Sequence, residues 1–511
     1  MKKNSSKRNS PIEISPAEFK KVGYALVDKI AGFLSSLPGK PVSPDHSPRE
    51  VRKLLGGREL PGKGTPPAKL LKEVSTLLFE NSLFNGHPRF WGYISSSAAP
   101  IGALGDFLAS SVNPNVGSFQ LSPVATEIET QTIRWIAELI GYPAGAGGIL
   151  VSGGNMANFV CFVAARKAMI KWNVRERGVA SRTATRFCIY TSAETHTWIQ
   201  KAADLFGLGT DSIRWIPTDK NLRMDPRVLR DQIRKDRARG EQPMMVVGTA
   251  GSVGTGSIDP LHELAQICRA HKLWFHVDGA YGALAAVLSD HPRDLDGLAQ
   301  ADSVAVDPHK WLYTPMEAGC ALVKDPQSLL DAFSYHPPYY TFGGDGAEMP
   351  TNYYERGPQN SRGFRALKVW LGLRQVGRDG YRSMIAEDIR LARILFEHAQ
   401  RYDELQTFTN NLSITTFRFV PRDLRGRNDA QSYLNQLNTE LLARLQASGE
   451  AFCSSTLIHG TFVLRVCVVN FRTTVQDVVS FPEVVIRFGR ETDRALRRRP
   501  KQNMSPKKHH R

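Results

Sequence analysis

The sequence has no run of about 18 uninterrupted apolar residues, which argues against a membrane-spanning helix. Cysteine is scarce: the 511 residues include six cysteines, and none of them forms a CxxC pair. Several lie inside apolar segments, so we expect buried free thiols in a reducing compartment. The polar first ten residues lack the apolar core of a secretory signal. We therefore expect a cytoplasmic protein without a membrane segment, and we predict no metal site.

The formal net charge of +17 suggests binding to nucleic acid, but much of this charge lies at the two ends. The terminal basic residues are Lys2, Lys3, Lys7, Arg8, Arg494, Arg497, Arg498, Arg499, Lys501, Lys507, Lys508 and Arg511. Removing these twelve charges from +17 leaves +5 for the rest of the chain. Such a tail is typical of a disordered, solvated segment. We expect no specific nucleic-acid partner, and a basic nucleic-acid-binding protein with a relic pocket is a distant alternative.

The chain is long enough for more than one domain. We predict an N-terminal helical arm over residues 1–95 that packs on a partner subunit, and a large α/β domain over 96–386. A smaller α+β domain over 387–493 and a basic, disordered tail over 494–511 complete the prediction. In the large domain, strand-like apolar runs alternate with helical ones, which indicates βαβ units around a mostly parallel sheet. The clearest of these runs are 187–190, 244–248, 273–277 and 303–306.

Two neighbouring strand ends carry residues suited to imine chemistry. Asp307-Pro308-His309-Lys310-Trp311 directly follows the run 303–306, and Asp278 ends the run 273–277. A partly desolvated lysine has an accessible neutral amine, which an imine-forming lysine needs. By itself each residue has a plain alternative, a surface charge for Lys310 and a helix cap for Asp278. Together they predict an acid and a lysine that point into one crevice.

A glycine-rich stretch, Ser152-Gly153-Gly154-Asn155, joins a strand-like run to a helical one. Small residues there let backbone N–H groups approach an anion, and the helix dipole favours negative charge. Alone, the pattern fits a plain turn as well as a phosphate site. A second stretch, residues 251–256, has neither the Gly-Lys-Ser/Thr ending nor the spacing of a nucleotide-binding loop. We predict a phosphate site at the first stretch and a strand-end loop at the second.

These motifs resemble those of the group II pyridoxal-phosphate decarboxylases, the family of aromatic-amino-acid, histidine and glutamate decarboxylases. The resemblance covers roughly residues 88–390 and rests on the two strand-end motifs, residues 152–158 and residues 192–196. It implies an α/β fold of the fold type I, aspartate-aminotransferase-like class of pyridoxal-phosphate enzymes. It also implies a homodimer with its active site at the interface, and pyridoxal 5'-phosphate as the cofactor.

The resemblance assigns roles to individual residues. Lys310 would form the imine with the cofactor, Asp278 would keep its pyridine nitrogen protonated, and His196 would stack on its ring. The other residues expected at the cofactor are Gly153, Gly154, Asn155, Ser252, Ala280 and His309. Asp307 receives no firm role, since some family members carry asparagine at this position.

In this family a loop tyrosine supplies the proton that Cα takes after carbon dioxide has left. Tyr339 matches that position, and Tyr340 is the alternative if the register differs by one. The surrounding residues, 335–357, are rich in Gly, Pro and aromatic residues, which is typical of an active-site lid, although simple packing would also explain them. Presence of the tyrosine favours amine as the product over the aldehyde made by relatives that divert the reaction to oxygen.

On the substrate side, the resemblance points to Tyr93, Ser95 and Phe119, the last reaching across a dimer interface. Aromatic decarboxylases carry bulky apolar residues around the position of Gly117, so this chain departs from them and leaves the substrate open. Arg362 and Arg365 would bind a carboxylate or cap a helix. We therefore expect decarboxylation of an L-amino acid to its amine and carbon dioxide, with an aldehyde synthase as the closest alternative.

Overall fold

The computed structural model describes residues 10–56, 59–179, 186–335 and 350–499. The helices are α1 Pro16–Ser36, α2 Pro48–Leu55, α3 Pro67–Asn81, α4 Pro100–Val112, α5 Pro123–Leu139, α6 Gly154–Met169, α7 Val174–Arg177, α8 Trp198–Leu205, α9 Pro226–Ala238, α10 Leu261–His271, α11 Gln327–Phe333, α12 Ala366–Ala399, α13 Gln431–Ser448 and α14 Val475–Arg498. The strands are β1 Phe90–Trp91, β2 Gly147–Val151, β3 Phe187–Ser192, β4 Ile213–Ile216, β5 Gln242–Thr249, β6 Trp274–Asp278, β7 Ser303–Val306, β8 Gly319–Val323, β9 Leu405–Asn411, β10 Ile414–Phe419, β11 Phe452–Ile458 and β12 Thr461–Cys467.

A seven-stranded sheet forms the centre of the large domain, in the order β2-β8-β7-β6-β5-β3-β4. Strands β4, β3, β5, β6 and β7 run parallel, and only β8 is antiparallel to its neighbours β7 and β2. Helices cover both faces, so the strands are buried almost throughout and appear in the sequence as continuous apolar runs. The mostly parallel α/β sheet expected from the sequence is confirmed.

The smaller sheet has the order β1-β11-β12-β10-β9. Its strands are antiparallel except for β1, which runs parallel to β11. Helices α13 and α14 pack with this sheet around a second apolar core. The C-terminal part is therefore α+β, as the alternating pattern predicted. Strand β1 belongs to the region predicted as the N-terminal arm, so that region ends inside the C-terminal sheet.

Two of the predicted domain boundaries fall inside helices. Helix α12 runs through residue 386 and is kinked at Gly377, whose φ of 68° is left-handed. Helix α14 runs past residue 493 to Arg498, so the first basic residues of the predicted tail are helical. The remainder of that tail, residues 500–511, lies outside the described residues. The division into four segments stays a prediction.

The N-terminal helices leave much of their apolar surface uncovered. Helix α1 packs on α3, where the rings of Phe33 and Phe79 stack at 4.3 Å. Phe19 stacks on Phe107 of α4, yet each keeps 52% of its surface exposed. Within the described part of the chain, no helix combines the length and apolar character needed to cross a membrane.

Candidate active site

The carboxyl ends of the parallel strands meet at one edge of the large sheet, which is the usual position of a ligand site in such folds. Strands β3, β5, β6 and β7 are parallel, and β2 has the same direction because β8 is antiparallel to both β2 and β7. The segments that follow these strands surround a cavity of about 640 Å³, whose opposite side is formed by strands β11 and β12. The predicted lysine, aspartate and glycine-rich turn therefore all reach one cavity.

Lys310 lies in a tight turn after β7. Its backbone N–H donates to the carbonyl of Asp307 at 2.9 Å, and its side chain is 18% exposed. Its Nζ is 3.2 Å from Oδ2 of Asp307, the nearest carboxylate of the turn.

The turn that carries Lys310 is held from behind by a buried acid. Oδ2 of Asp388, on α12, accepts hydrogen bonds from Nε1 of Trp311 at 3.0 Å and from the hydroxyl of Tyr313 at 2.7 Å. Burial raises the pKa of Asp388 to about 7. The Trp311 ring also packs on Tyr281, with ring centres 4.6 Å apart. Sequence reasoning missed Asp388, because nothing in a helical pattern marks one inward-facing acid.

Asp278 is fixed at the end of β6. Its Oδ2 accepts a hydrogen bond from Nε1 of Trp198 at 2.8 Å, and its Oδ1 accepts one from the backbone N–H of Ala280 at 3.2 Å. Trp198 in turn meets the ring of His276 edge to face at 5.5 Å. His276 is fully buried, which lowers its pKa to about 4, so it supports this packing as a neutral ring. Asp278 and Ala280 both line the cavity.

The two predicted histidines also line the cavity. Burial lowers the pKa of His196, and the nearby Asp278 only partly offsets this effect. Burial likewise lowers the pKa of His309, whose Nδ1 donates to the carbonyl of Ala318 at 2.6 Å. Its Nε2 is 3.6 Å from Oδ2 of Asp307. Both rings are therefore favoured in the neutral form at neutral pH.

The glycine-rich turn leads directly into α6. Gly153 has φ +123°, and a Cβ there would lie 3.2 Å from Cε1 of His309. A Cβ on Gly154 would lie 2.7 Å from Oδ2 of Asp307. Only glycine suits the first position, and any side chain would crowd the second. The turn presents the amino end of the 16-residue helix α6 to the cavity, as an anion site requires.

The loop after β5 lies at the cavity through residues other than the predicted one. Gly251, Val253 and Gly254 of the loop line it, together with Thr249, the last residue of β5, which no motif marked. The Ser252 hydroxyl is buried and hydrogen bonds with the hydroxyls of Thr255 and Ser257, at 3.1 and 2.9 Å. Ser252 is not among the described residues that line the cavity, and its contact with the cofactor stays a prediction.

Of the predicted substrate residues, Tyr93 and Ser95 line the cavity of their own chain. Phe119 is not among the described lining residues; its backbone N–H donates to Oδ1 of Asn352 at 3.3 Å. A Cβ on Gly117 would lie 2.4 Å from the carbonyl oxygen of Asn360. Close backbone packing therefore requires glycine at position 117 in this chain.

Arg465, on β12, is a lining residue that the sequence reasoning missed. It is only 2% exposed, and its Nη1 donates to the carbonyl of Tyr93 at 2.8 Å and to Oγ of Ser454 at 3.0 Å. Its Nε and Nη2 are buried and have no hydrogen-bond partner in the described structure. The available signal was an arginine inside the apolar run 462–468. Buried, unpartnered guanidinium N–H groups at a cavity are suited to an anion.

The two arginines with alternative predicted roles are both placed outside the cavity lining. Arg362 is buried and forms a bidentate ion pair with Glu129. Arg365 pairs with Glu317 at 3.2 Å. Arg365 occupies the N-cap position of α12, but its side chain makes no capping hydrogen bond. Both arginines have carboxylate partners within the chain. Tyr339 and Tyr340 lie outside the described residues, so the assignment of the proton donor stays a prediction.

Comparisons with known proteins agree with this geometry. The pyridoxal-dependent decarboxylase conserved domain matches residues 48–419. An aromatic-L-amino-acid decarboxylase of Bacillus atrophaeus is 32% identical over 469 residues, covering 92% of this chain and 95% of that protein. A phenylacetaldehyde synthase of a Rosa hybrid cultivar is 30% identical over 484 residues, covering 92% and 94%. The crystal structure of Oryza sativa TDC with PLP and tryptamine superposes with a TM-score of 0.87 at 26% identity, covering 95% and 99%.

The fold and the site together define a pyridoxal-phosphate enzyme of fold type I. Within that class, the chain belongs to the pyridoxal-dependent decarboxylase family. Its cofactor is pyridoxal 5'-phosphate, and its reaction is the decarboxylation of an amino acid. The cavity fits the cofactor through a lysine, a fixed acid and a helix amino end that reach the same space. One feature fits less well, because the carboxylate of Asp307 lies beside that helix end.

Proposed function

We propose that this chain is a homodimeric L-amino-acid decarboxylase whose substrates carry an aromatic side chain. The observation that carries the proposal is the convergence of Lys310, Asp278 and Arg465 on one cavity. These three residues provide an amine, a fixed acid and a buried cation with free N–H groups. A bound amino acid needs all three, because its amino group, the cofactor ring and its carboxylate must be held together.

Pyridoxal phosphate, when bound, supplies an electron sink for the pair of electrons that the departing carboxylate leaves on Cα. Lys310, whose Nζ lies at the cavity, would hold the cofactor as an imine. Asp278 keeps a proton on the pyridine nitrogen, and its two hydrogen bonds fix the direction of its carboxylate. His196, neutral because burial lowers its pKa, covers the ring without adding a competing charge. The glycine-rich turn binds the phosphate.

Arg465 is the residue that we assign to the substrate carboxylate. Its free Nε and Nη2 are too buried for bulk water to satisfy, so an incoming carboxylate gains hydrogen bonds that the free enzyme does not make. Its other nitrogen, Nη1, is held by Tyr93 and Ser454, which fixes the plane of the guanidinium group. Such fixation orients the bond to the carboxylate before it breaks.

The aromatic preference rests on the residues around the rest of the cavity. Tyr93, Val253 and Met316 line it with large parts of their apolar surfaces exposed, at 61%, 42% and 58%. An aromatic side chain would cover these surfaces, whereas an acidic one would leave its charge against them. The Bacillus atrophaeus relative, named as an aromatic-L-amino-acid decarboxylase, supports the same preference.

A second subunit is expected to complete the site. The exposed apolar side chains of α1, α3 and α4 need a cover, and contiguous surfaces of this kind mark interfaces. Phe119 would then reach the cavity of the partner subunit, which agrees with its position away from the cavity of its own chain. A cytoplasmic location remains our proposal, supported by six buried cysteines that are all free.

The direct test is incubation of the purified protein with a panel of L-amino acids, with measurement of carbon dioxide, amine, aldehyde and hydrogen peroxide. We expect carbon dioxide and amine in equal amounts from tyrosine, tryptophan or phenylalanine, at rates at least about 10-fold above that for glutamate. Preference for glutamate would overturn the aromatic assignment. Aldehyde with peroxide would instead favour an aldehyde synthase, the activity that the name of the 30% identical Rosa protein gives.

The role of Arg465 is tested by Arg465→Lys, with Arg418→Lys as the matched control. Arg418 lies on the neighbouring strand β10, is 7% exposed and is bonded to Gln406 and Gln431 outside the cavity. We expect Arg465→Lys to raise KM about 10-fold or more, because lysine cannot make the paired hydrogen bonds of arginine. The control variant should keep the parental KM. Equal effects in both variants would show that Arg465 only stabilises the sheet.

A further inference from the structure

Asp307 places a buried carboxylate at the position that the cofactor phosphate is expected to approach. Its side chain is 3% exposed, and its Oδ2 is 3.2 Å from Nζ of Lys310. The same oxygen is 2.7 Å from the point where a Cβ of Gly154, the first residue of α6, would lie. Its Oδ1 is buried and has no hydrogen-bond partner in the described structure. Asp307 therefore lies between the amine that holds the cofactor and the helix end that receives its phosphate.

The positive groups around Asp307 are too few for two anions. Within its own turn, Oδ2 of Asp307 lies 3.2 Å from Nζ of Lys310 and 3.6 Å from Nε2 of His309. From the loop after β3, His196 is close enough for its charge to interact with Asp307. Burial lowers the pKa of both histidines, which favours their uncharged forms. Cys320, on β8, is buried, which raises its thiol pKa well above the usual value and keeps it neutral. Lys368, whose charge also acts on His309, is paired with Asp106 at 3.1 Å. Among the described residues, Lys310 is thus the cation in close contact with Asp307, and a phosphate would have to share it.

We propose that Asp307 opposes the phosphate of the cofactor, and so weakens cofactor binding and speeds its exchange. The inference rests on the proposed function, which places the phosphate at residues 153–155. A carboxylate that stays charged beside the phosphate repels it. An amide at position 307 has the same shape without the negative charge, and it should bind the phosphate more tightly.

The test compares Asp307→Asn with the parent in calorimetric titrations of the full-length chain after removal of its cofactor. The probes are pyridoxamine 5'-phosphate, which has no aldehyde for Lys310, and pyridoxamine, which lacks the phosphate. We expect the variant to bind pyridoxamine 5'-phosphate about 10-fold or more tightly than the parent does, a difference within the range of one close charge pair. Binding of pyridoxamine should change less than about twofold, because it carries no phosphate to be repelled.

The control variant is Asp325→Asn, which makes the same change of net charge at an exposed position and should bind both probes as the parent does. Asp307→Ser, also neutral, should tighten phosphate binding if the asparagine variant does not fold. Unchanged or weaker binding of pyridoxamine 5'-phosphate by the neutral variants would overturn the proposal, as would equal tightening of both probes. If the parent binds neither pyridoxamine 5'-phosphate nor pyridoxamine, the placement of the phosphate is wrong, and the inference about Asp307 fails with it.

Discussion

Arg362 and Glu129 form a fully buried ion pair that holds the strand leading to the glycine-rich turn. The Nη2 of Arg362 donates to Oε1 of Glu129 at 2.6 Å and to the carbonyl of Leu150 at 2.7 Å. Oε1 of Glu129 in turn accepts from the backbone N–H of Leu150 at 3.0 Å. Leu150 lies two residues before Ser152. The pair therefore fixes β2 just before the chain reaches the cofactor site.

Removal of one member of this pair should destabilise the protein strongly. Arg362→Met leaves the carboxylate of Glu129 buried without a cation, and we expect a loss of about 3–5 kcal/mol in the free energy of unfolding. The double variant Arg362→Met, Glu129→Met removes both charges and should lose less than the single variant. Urea unfolding of the parent and the two variants measures the difference. A double variant less stable than the single one would contradict this account.

Lys310→Ala should abolish imine formation and leave the fold intact. The lysine side chain is at the cavity surface, and its removal leaves the hydrogen bonds of Trp311 and Tyr313 to Asp388 in place. Borohydride reduction of the loaded parent should trap the cofactor on Lys310, as peptide mapping would show. Circular dichroism checks the fold of the variant. Labelling of another lysine in the parent would contradict the assignment.

Asp278→Asn should slow decarboxylation on the order of 100-fold or more, because the amide no longer holds the proton on the pyridine nitrogen. Asparagine retains the shape and keeps one oxygen as a hydrogen-bond acceptor. Trp198→Phe is the companion variant: it removes the 2.8 Å hydrogen bond but leaves the acid, and should cost much less. Steady-state rates of amine release measure both effects. Near-parental turnover of Asp278→Asn would show that the acid has only a structural role.

How much of this site the sequence predicted depends on where each residue lies along the chain. Asp278 ends a strand, and Lys310 and the glycine-rich turn lie within a few residues after strands, so a correct strand assignment placed them at one edge of the sheet. Arg465 and Asp388 come from the C-terminal sheet and from the middle of α12, and they reach the site only through tertiary packing. No local pattern records such packing. The close approach of Asn360 to Gly117 is likewise a contact between distant segments.

Tyr339→Phe should change the outcome of the reaction. A phenol can donate a proton to Cα, whereas a phenyl ring of similar size cannot. We therefore expect the variant to bind the cofactor normally, release amine more slowly and form more aldehyde and hydrogen peroxide. Tyr340→Phe is the matched control. If Tyr340→Phe gives aldehyde while Tyr339→Phe still gives clean amine, the donor is Tyr340. If neither variant forms aldehyde, neither tyrosine is the donor.

The buried acid behind Lys310 should make stability depend on pH. Burial raises the pKa of Asp388 in the folded protein to about 7, from 3.8 for an ordinary aspartate. Between these values the folded protein keeps a proton that the unfolded chain has lost. The contribution of Asp388 to stability is therefore greatest at acidic pH and falls as the pH rises towards 7, by at most ~1.4 kcal/mol per pH unit.

Asp388→Asn should remove this dependence while it keeps an oxygen that accepts from Trp311 and Tyr313. Urea unfolding of the cofactor-free parent and variant at pH 5.5, 6.5 and 7.5 would measure this pH dependence. The free energy of unfolding of the variant should rise relative to that of the parent with each increase in pH, roughly as the linkage of one proton requires. The comparison cancels the groups common to both chains, including His276, whose lowered pKa acts in the opposite direction. Tyr313→Phe retains the acid and should retain the parental slope. Parallel pH profiles for parent and Asp388→Asn would mean that Asp388 is already ionised across this range, held charged by its two hydrogen bonds in spite of its burial.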